Sequence, residues 1–386
     1  MCGILHWNGG GKVHSIIKWP GGKTREIDKI KYLIPQNFAR YVEPFFGGGA
    51  LYFHLMPKSA AINDISASLI SFYRLVKAQD QKLRNLLIGY NDSFQNLISV
   101  CDKNASALIG IFEELYNDRI SKEDLIHAVS QFLSGVEGDI LSGFRQALIL
   151  NTDEFVELLR KMAVDKFIRT VSHYRKKPFS AKDLRENLIT GFASGYYMYF
   201  RKVYNDISLG RIYDCGEAYA AANYYFIREY CYGSMFRYNA KGEFNIPYGG
   251  MSYNRKDMKS KIELMFNQNV EQLFNGTEIH CSDFEVFFDN LQLSKEDFIF
   301  LDPPYDTDFS DYEGKAFTKN DQERLANALK RTEAKFILVI KNTDFIYGLY
   351  EKNFNILSFD KQYTYNVRSR NDRDVEHLII TNLPVF

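Results

Sequence analysis

Asp302, Pro303, Pro304 and Tyr305 follow the apolar run Phe298-Ile299-Phe300-Leu301. Consecutive apolar residues leave no face for water, so the run reads as a buried strand of a parallel sheet. Two prolines lack backbone donors, so the chain must leave the sheet there. The tetrapeptide therefore sets a carboxylate, a carbonyl and a ring at the carboxyl end of a strand, where open α/β sheets bind ligands. Two adjacent acceptors suit an exocyclic amino group with its two N–H donors. Tyr305 offers a face on which a planar base can stack, worth roughly 1–3 kcal/mol. The competing reading of these four residues alone is a stiff exit from strand to loop.

Three further stretches carry residue types fit for a ligand. Lys18-Trp19-Pro20-Gly21-Gly22-Lys23-Thr24 ends like a phosphate-binding loop, but position 17 is Ile where that motif needs Gly. What remains is a glycine turn flanked by Trp19 and Lys23. Arg40 to Leu51 reads as a strand entering the glycine bend Phe45-Phe46-Gly47-Gly48-Gly49 and then a helix. Glycines at a strand's end let backbone approach a nucleoside. Position 52 is Tyr, so the six-residue dinucleotide fingerprint is incomplete. A second strand, Ala60 to Asn63, ends in Asp64, where such sheets grip ribose hydroxyls. Asp283 ends a third strand, Glu278 to Ser282, in the same manner.

Composition narrows the class. Hydrophobic content of 46% and charged content of 25% suit a soluble globular chain, and 386 residues suffice for one large or two ordinary domains. Formal net charge is zero, so any nucleic-acid surface must be a local patch. The five cysteines are scattered, with no Cys-x-x-Cys and no paired histidines at metal spacing. This argues against a structural zinc and against a secreted disulfide framework, and for a reducing cytoplasm. No apolar run reaches membrane-spanning length, so no membrane partner is expected. Met1-Cys2-Gly3 resembles the opening of N-terminal-nucleophile amidotransferases, but nothing after it supports that fold, and residues 1–14 read as a polar lead-in.

The elements that must position these residues alternate strand and helix in two separated blocks. The expected fold is α/β: a Rossmann-like sheet with helices on both faces, built from residues 15–80 and 256–386. A mainly helical insert with target-recognition elements spans 81–255. Within it, helices are expected over Leu83–Leu97, Ala105–Tyr116, Lys122–Leu133, Asp153–Val164 and Ala181–Ile189. Lys166 to Arg185 is basic with interleaved aromatics, which suits phosphates as well as it suits a solvated helix face. Arg237 to Gly250 is glycine-punctuated, polar and aromatic, and reads as a hairpin presenting Arg237, Tyr238, Asn239, Asn245 and Tyr248. Asp306 to Lys315 is an acidic loop that could serve as a flap. Helices are also expected over Lys259–Leu273, Lys319–Arg331 and Phe345–Lys352, and strands over Phe336–Ile340, Asn355–Phe359 and Val375–Thr381.

Taken in order, these motifs resemble the Dam-type (class alpha) DNA adenine-N6 methyltransferases. The resemblance covers residues 16–80 and 195–385 and leaves about 85–190 without a recognised counterpart. Lys18 to Lys23 matches that family's N-terminal motif, Phe45-x-Gly47-x-Gly49 its S-adenosylmethionine loop, and Asn63-Asp64 its ribose acid. Arg237-Tyr238-Asn239 through Gly249 matches its Arg-x-Asn segment, and Asp302-Pro303-Pro304-Tyr305 its catalytic tetrapeptide. The resemblance implies transfer of a methyl group from S-adenosylmethionine to an adenine flipped out of duplex DNA. Asp302 and the Pro303 carbonyl would then hold the N6 amino group, Tyr305 would stack on the base, and Phe317 would form a second wall. Trp19, Lys23, Phe45, Gly47, Gly49, Asp64 and Asp283 would line the cofactor, with Asp302 at its border. Arg237, Asn239, Asn245 and Tyr248 would touch DNA, each with a structural role as the rival reading. No metal is implied, and a cognate restriction endonuclease is a possible partner. Methylation of cytosine N4, an RNA base or a protein glutamine is the rival chemistry, and a non-catalytic DNA-binding module is the rival class. Asp at position 302, instead of Ser or Asn, favours adenine.

Overall fold

The computed structural model describes residues 14–20, 26–144, 148–212, 214–304, 311–312, 315–362 and 374–384. Two compact units are formed, one by Met1–Gln79 with Leu264–Phe386 and the other by Asp80–Glu263.

The first unit is built on strands β1 (Arg40–Glu43), β2 (Ala60–Asn63), β3 (Thr277–His280) and β4 (Asp297–Leu301), a two-residue ladder of β5 (Asp311–Tyr312) with β6 (Lys315–Ala316), and then β7 (Lys335–Lys341), β8 (Asn355–Gln362) and β9 (Asp374–Thr381). Seven of them form one sheet in the order β3-β2-β1-β4-β7-β9-β8. β9 runs antiparallel between β7 and β8, and the other pairs are parallel. Val42 lies opposite Ile299, which makes β1 and β4 neighbours at the sheet's centre. Their amino ends are fastened by Arg40, whose guanidinium donates to both oxygens of the buried Asp297 carboxylate at 3.0 Å.

Around the sheet lie α1 (Ile27–Ile30), α2 (Ala50–Leu55) and α3 (Ala67–Lys77) from the first block. Helix α10 (Lys259–Met265) begins within the second unit and ends in the first, and after it come α11 (Gln268–Asn275), α12 (Phe284–Leu291), α13 (Lys319–Arg331) and α14 (Asp344–Tyr350). Side chains alternate across strands, so each strand feeds two cores. Val42, Ala61, Ile299, Leu301, Leu338 and Ile380 pack with residues of α12, α13 and α14. Tyr41 and Phe298 point the other way, into an aromatic layer where Tyr41 meets Tyr52 and Tyr52 meets Phe274 of α11.

The second unit comprises α4 (Gln81–Lys103), α5 (Ala105–Tyr116), α6 (Lys122–Leu141), α7 (Thr152–Lys176), α8 (Ala181–Ser208) and α9 (Glu217–Tyr230), followed by a hairpin. Helices α7 and α8 approach closely because Gly191 and Gly195 face Ala163 and Leu159: a Cβ on Gly195 would lie 2.6 Å from Leu159 Cα. Residues 254–258 belong with this unit by their bonds, since Asn254 and Arg255 meet Glu186, Lys256 meets Glu229, and the Met258 amide donates to Asn91.

Differences from the sequence reading have local causes. The stretch read as one helix over Lys259–Leu273 is two helices, because Asn267 caps the second with its side chain accepting from Val270. α7 continues through the basic segment to Lys176 instead of stopping near Val164. α9 escaped the reading because Ala218, Tyr219 and every residue from Ala221 to Tyr230 is buried, so no polar face marks its period. α12 was likewise unread.

Candidate active site

The bend after β1 is shaped by Asp64. The Gly47 amide donates to Asp64 Oδ2 at 2.9 Å and the Ser66 amide to Asp64 Oδ1 at 3.0 Å, so one carboxylate joins the bend to the start of α3. Gly47 and Gly49 have φ of 48° and 60°, a region that glycine enters without penalty. A Cβ on Gly47 would stand 2.6 Å from Trp19 Nε1, and one on Gly49 2.5 Å from the Phe46 ring. The Tyr73 hydroxyl donates to the Gly47 carbonyl at 3.0 Å, and Ser15 Oγ meets the Gly48 carbonyl. Trp19, Gly47, Gly49 and Asp64 thus lie together at the bend after β1.

Asn63, buried at the tip of β2, ties three strand exits together. Its amide nitrogen donates to the carbonyls of Pro44 and Ser282 at 3.1 and 3.0 Å, and its oxygen accepts from the Ser282 amide at 2.9 Å. The β3 exit is therefore held beside the glycine bend. Asp283 caps α12 and pairs with Arg324 at 2.6 Å, and Arg324 also reaches Glu285 and Asp321, each at 2.9 Å. Its guanidinium lies over the Phe284 ring, 4.9 Å from the centroid. Arg324 had no place in the sequence reading. Phe317 packs edge-on against Phe45 at 5.5 Å and lies 5.9 Å from Phe284. Its aromatic partners are therefore residues of the β1 and β3 exits.

β4 ends at Leu301, and Asp302 to Pro304 leave the sheet as the prolines require. Asp302 and Pro304 are half-buried and Pro303 is buried. The Pro304 carbonyl accepts from Gln322 Nε2 at 3.1 Å. Glu43, the last residue of β1, is buried and accepts from the Tyr41 hydroxyl at 2.8 Å. Burial pushes its carboxyl well above the usual carboxylate range, and the nearby negative charges of Asp302 and Asp64 push it further. Three acids from three neighbouring strand exits thus converge on the sheet's carboxyl edge. Glu43 was read only as strand; an acid ending an apolar strand one residue before proline was the available signal. Lys23, Tyr305 and most of the acidic loop 306–315 lie outside the described residues.

The hairpin of the second unit is closed by the Tyr238–Phe244 and Cys231–Tyr248 bridges. Residues of α8 build it. Asn205 donates to the Phe244 carbonyl at 3.1 Å and accepts from its amide at 2.8 Å, and Tyr204 and Tyr238 hydroxyls meet at 2.8 Å. Tyr197 and Arg201 both donate to the Ile246 carbonyl, at 2.9 and 3.2 Å. Arg237 and Asn239 are exposed, and Asn239 also shapes the turn by accepting from the Lys241 and Glu243 amides. Asn245 is half-buried. Tyr248 departs from expectation: it is buried, its hydroxyl donating to Asn254 at 3.1 Å, because its ring completes an aromatic core with Tyr197 and Phe94.

In the basic segment, Arg175 pairs with Asp118 at 2.6 Å and Arg185 with Asp102 at 2.6 Å, so two of its cations are answered within the unit. No group of metal-binding side chains is present among the described residues, and no helix there is long and apolar enough to cross a membrane.

The sequence matches the family model described as D12 class N6 adenine-specific DNA methyltransferase over residues 19–188 and 146–365. It is 24% identical over 373 residues to a type II methyltransferase, M.CviBI, of Paramecium bursaria Chlorella virus NC1A, covering 95% of this chain and 98% of that protein. Type II methyltransferase M.MjaIII of Methanocaldococcus jannaschii is 27% identical over 390 residues, covering 96% and 99%. A DNA adenine methylase of Vibrio cholerae is 21% identical over 373 residues, covering 94% of each. These spans include residues 85–190, so the helical segment without a recognised counterpart in the sequence reading is shared with relatives.

Proposed function

Because the chain belongs to the D12 class of N6 adenine-specific DNA methyltransferases, we propose that it uses S-adenosylmethionine to methylate adenine in duplex DNA, with the carboxyl edge of its sheet as the reaction site. The observation that carries this reading is the adjacency of β1 and β4, which brings the glycine bend clasped by Asp64 to the same edge as Asp302.

The residues fit the cofactor. Asp64 stands at the tip of the second strand, where α/β sheets grip ribose hydroxyls. The Cβ-free bend lets the Trp19 and Phe46 rings pack directly on its backbone, and Phe45, Phe284 and Phe317 form an apolar surface suited to a purine. Phe317 accordingly joins the cofactor side in this reading. S-adenosylmethionine supplies a methyl group already activated on a sulfonium, so a covalent protein nucleophile is not required. What the chain must provide is position and charge.

Asp302 and the Pro303 carbonyl accept the two N6 hydrogens, drawing the amino lone pair out of conjugation. Burial raises the pKa of the Glu43 carboxyl, and the negative charge of Asp302 beside it raises it further. Extruding adenine costs a few kcal/mol in lost stacking and pairing. Arg237 and Asn239 on the hairpin contact DNA and contribute to target choice, whereas Tyr248 supports the hairpin from within. The names of the viral and archaeal relatives favour service in a restriction-modification system, with a cognate endonuclease as partner.

Incubation with tritium-labelled cofactor tests the reading. Label should enter duplex DNA and digest out as N6-methyladenine. Label confined to RNA or protein would overturn it.

A further inference from the structure

Gln322 is wholly buried, yet it is an amide in a site that a leucine could fill. Its Nε2 donates to the Pro304 carbonyl, while its Oε1 has no hydrogen-bond partner among the described residues. A buried acceptor left unmet is costly, so this side chain is not what packing alone would select. Polar groups that lower stability are concentrated where function requires them.

The helix that carries Gln322 is held rigidly. Thr318 and Asp321 form a reciprocal cap at the start of α13, with the Thr318 amide 2.8 Å from Asp321 and the Asp321 amide 3.3 Å from Thr318 Oγ1. Two residues after Gln322, Arg324 binds Asp283 and Glu285 at the β3 exit. One helical turn therefore fixes both the β3 exit and the peptide after β4. The two prolines give residues 303 and 304 no N–H with which to anchor themselves. Gln322 supplies the missing tie.

We propose that Gln322 is a positioning residue for methyl transfer: by holding the Pro304 carbonyl it sets the direction of the Pro303 carbonyl and the Asp302 carboxylate toward the target amino group. This rests on the assignment of Asp302 and Pro303 to catalysis made above.

The test compares Q322L, Q322H and D302A by single-turnover methyl transfer to duplex DNA, with cofactor and DNA affinities and thermal midpoints measured separately. Gln322→Leu keeps volume and loses the donor, so the transfer rate should fall about 10- to 100-fold, the cost of small misplacement at a reacting centre. Both affinities should stay within about twofold and the midpoint should hold or rise. Gln322→His returns an N–H at similar reach and should recover at least a third of the lost rate on a logarithmic scale. A wild-type rate in Q322L, or a loss that tracks weakened binding or a lowered midpoint, overturns the proposal. If Q322L does not fold, failure of Q322H to exceed a Q322M variant, which has no N–H to offer the carbonyl, overturns it equally. D302A separates the two claims. An inactive D302A beside an unimpaired Q322L removes only the role of Gln322, whereas an active D302A removes the assignment beneath it.

Discussion

The Gly47 amide donates to the Asp64 carboxylate at 2.9 Å, across 17 positions of sequence and between the exits of two adjacent strands. The same carboxylate accepts from Ser66, so it orders the bend and caps the turn into α3 before any ligand arrives.

Removing the clasp should therefore harm binding first. Asp64→Ala leaves two amides unmet and removes the ribose acceptor, with each charge-assisted bond worth about 1.5–3 kcal/mol. Calorimetric titration with S-adenosylmethionine should show affinity falling at least tenfold, and less for Asp64→Asn. Equal affinity in Asp64→Ala would refute the clasp's role.

The glycine bend predicts a contrast between two alanine substitutions. Gly49→Ala forces φ of 60° on an L-residue and presses a methyl on the Phe46 ring, so it should cost about 1–3 kcal/mol in urea unfolding. Gly110→Ala, within α5 and with nothing within 4 Å of a new Cβ, should gain about 0.5–1 kcal/mol. Parallel effects would contradict the local account.

Glu43 gives a pH dependence. Its folded pKa lies above its unfolded value, so its contribution is fully present below the unfolded pKa and is lost as pH rises through the folded one. Glu43→Gln stays neutral and can still accept from Tyr41. Its thermal midpoint should exceed wild type at pH 8 and converge with it toward pH 4. The gap corresponds to about 2–4 °C per kcal/mol for a unit of this size. A gap that widens on acidification would have the wrong sign.

The exposed end of α7 bears on DNA. Lys176 and Lys177 are exposed, whereas Arg175 is engaged with Asp118. If the two lysines meet phosphates, replacing both with alanine should flatten the plot of log affinity against log salt by up to about 1.8, at roughly 0.9 per duplex phosphate. Arg175→Ala should change it less. An unchanged slope in the double variant would exclude this segment from the interface.

Much of this was legible before the structure. The run Phe298–Leu301 ending in Asp-Pro-Pro could only be a buried strand with a forced exit, and the glycine bend and Asp64 follow the same logic of strand tips. Residues whose role depends on a distant partner were not. Gln322 and Arg324 look like ordinary positions along the chain and gain meaning only when three strand exits are brought together. The burial of Tyr248 was hidden for the opposite reason: a polar, glycine-rich setting suggested a surface, while α8, far back in sequence, supplied the core that buries it.

The most direct test of the site is Asp302→Ala in single-turnover transfer to duplex DNA, with S-adenosylmethionine affinity measured on the same preparation. The account predicts a rate at least about 10²–10³-fold lower, as for loss of one preorganised charged contact, with cofactor affinity little changed. Transfer at the wild-type rate would contradict it.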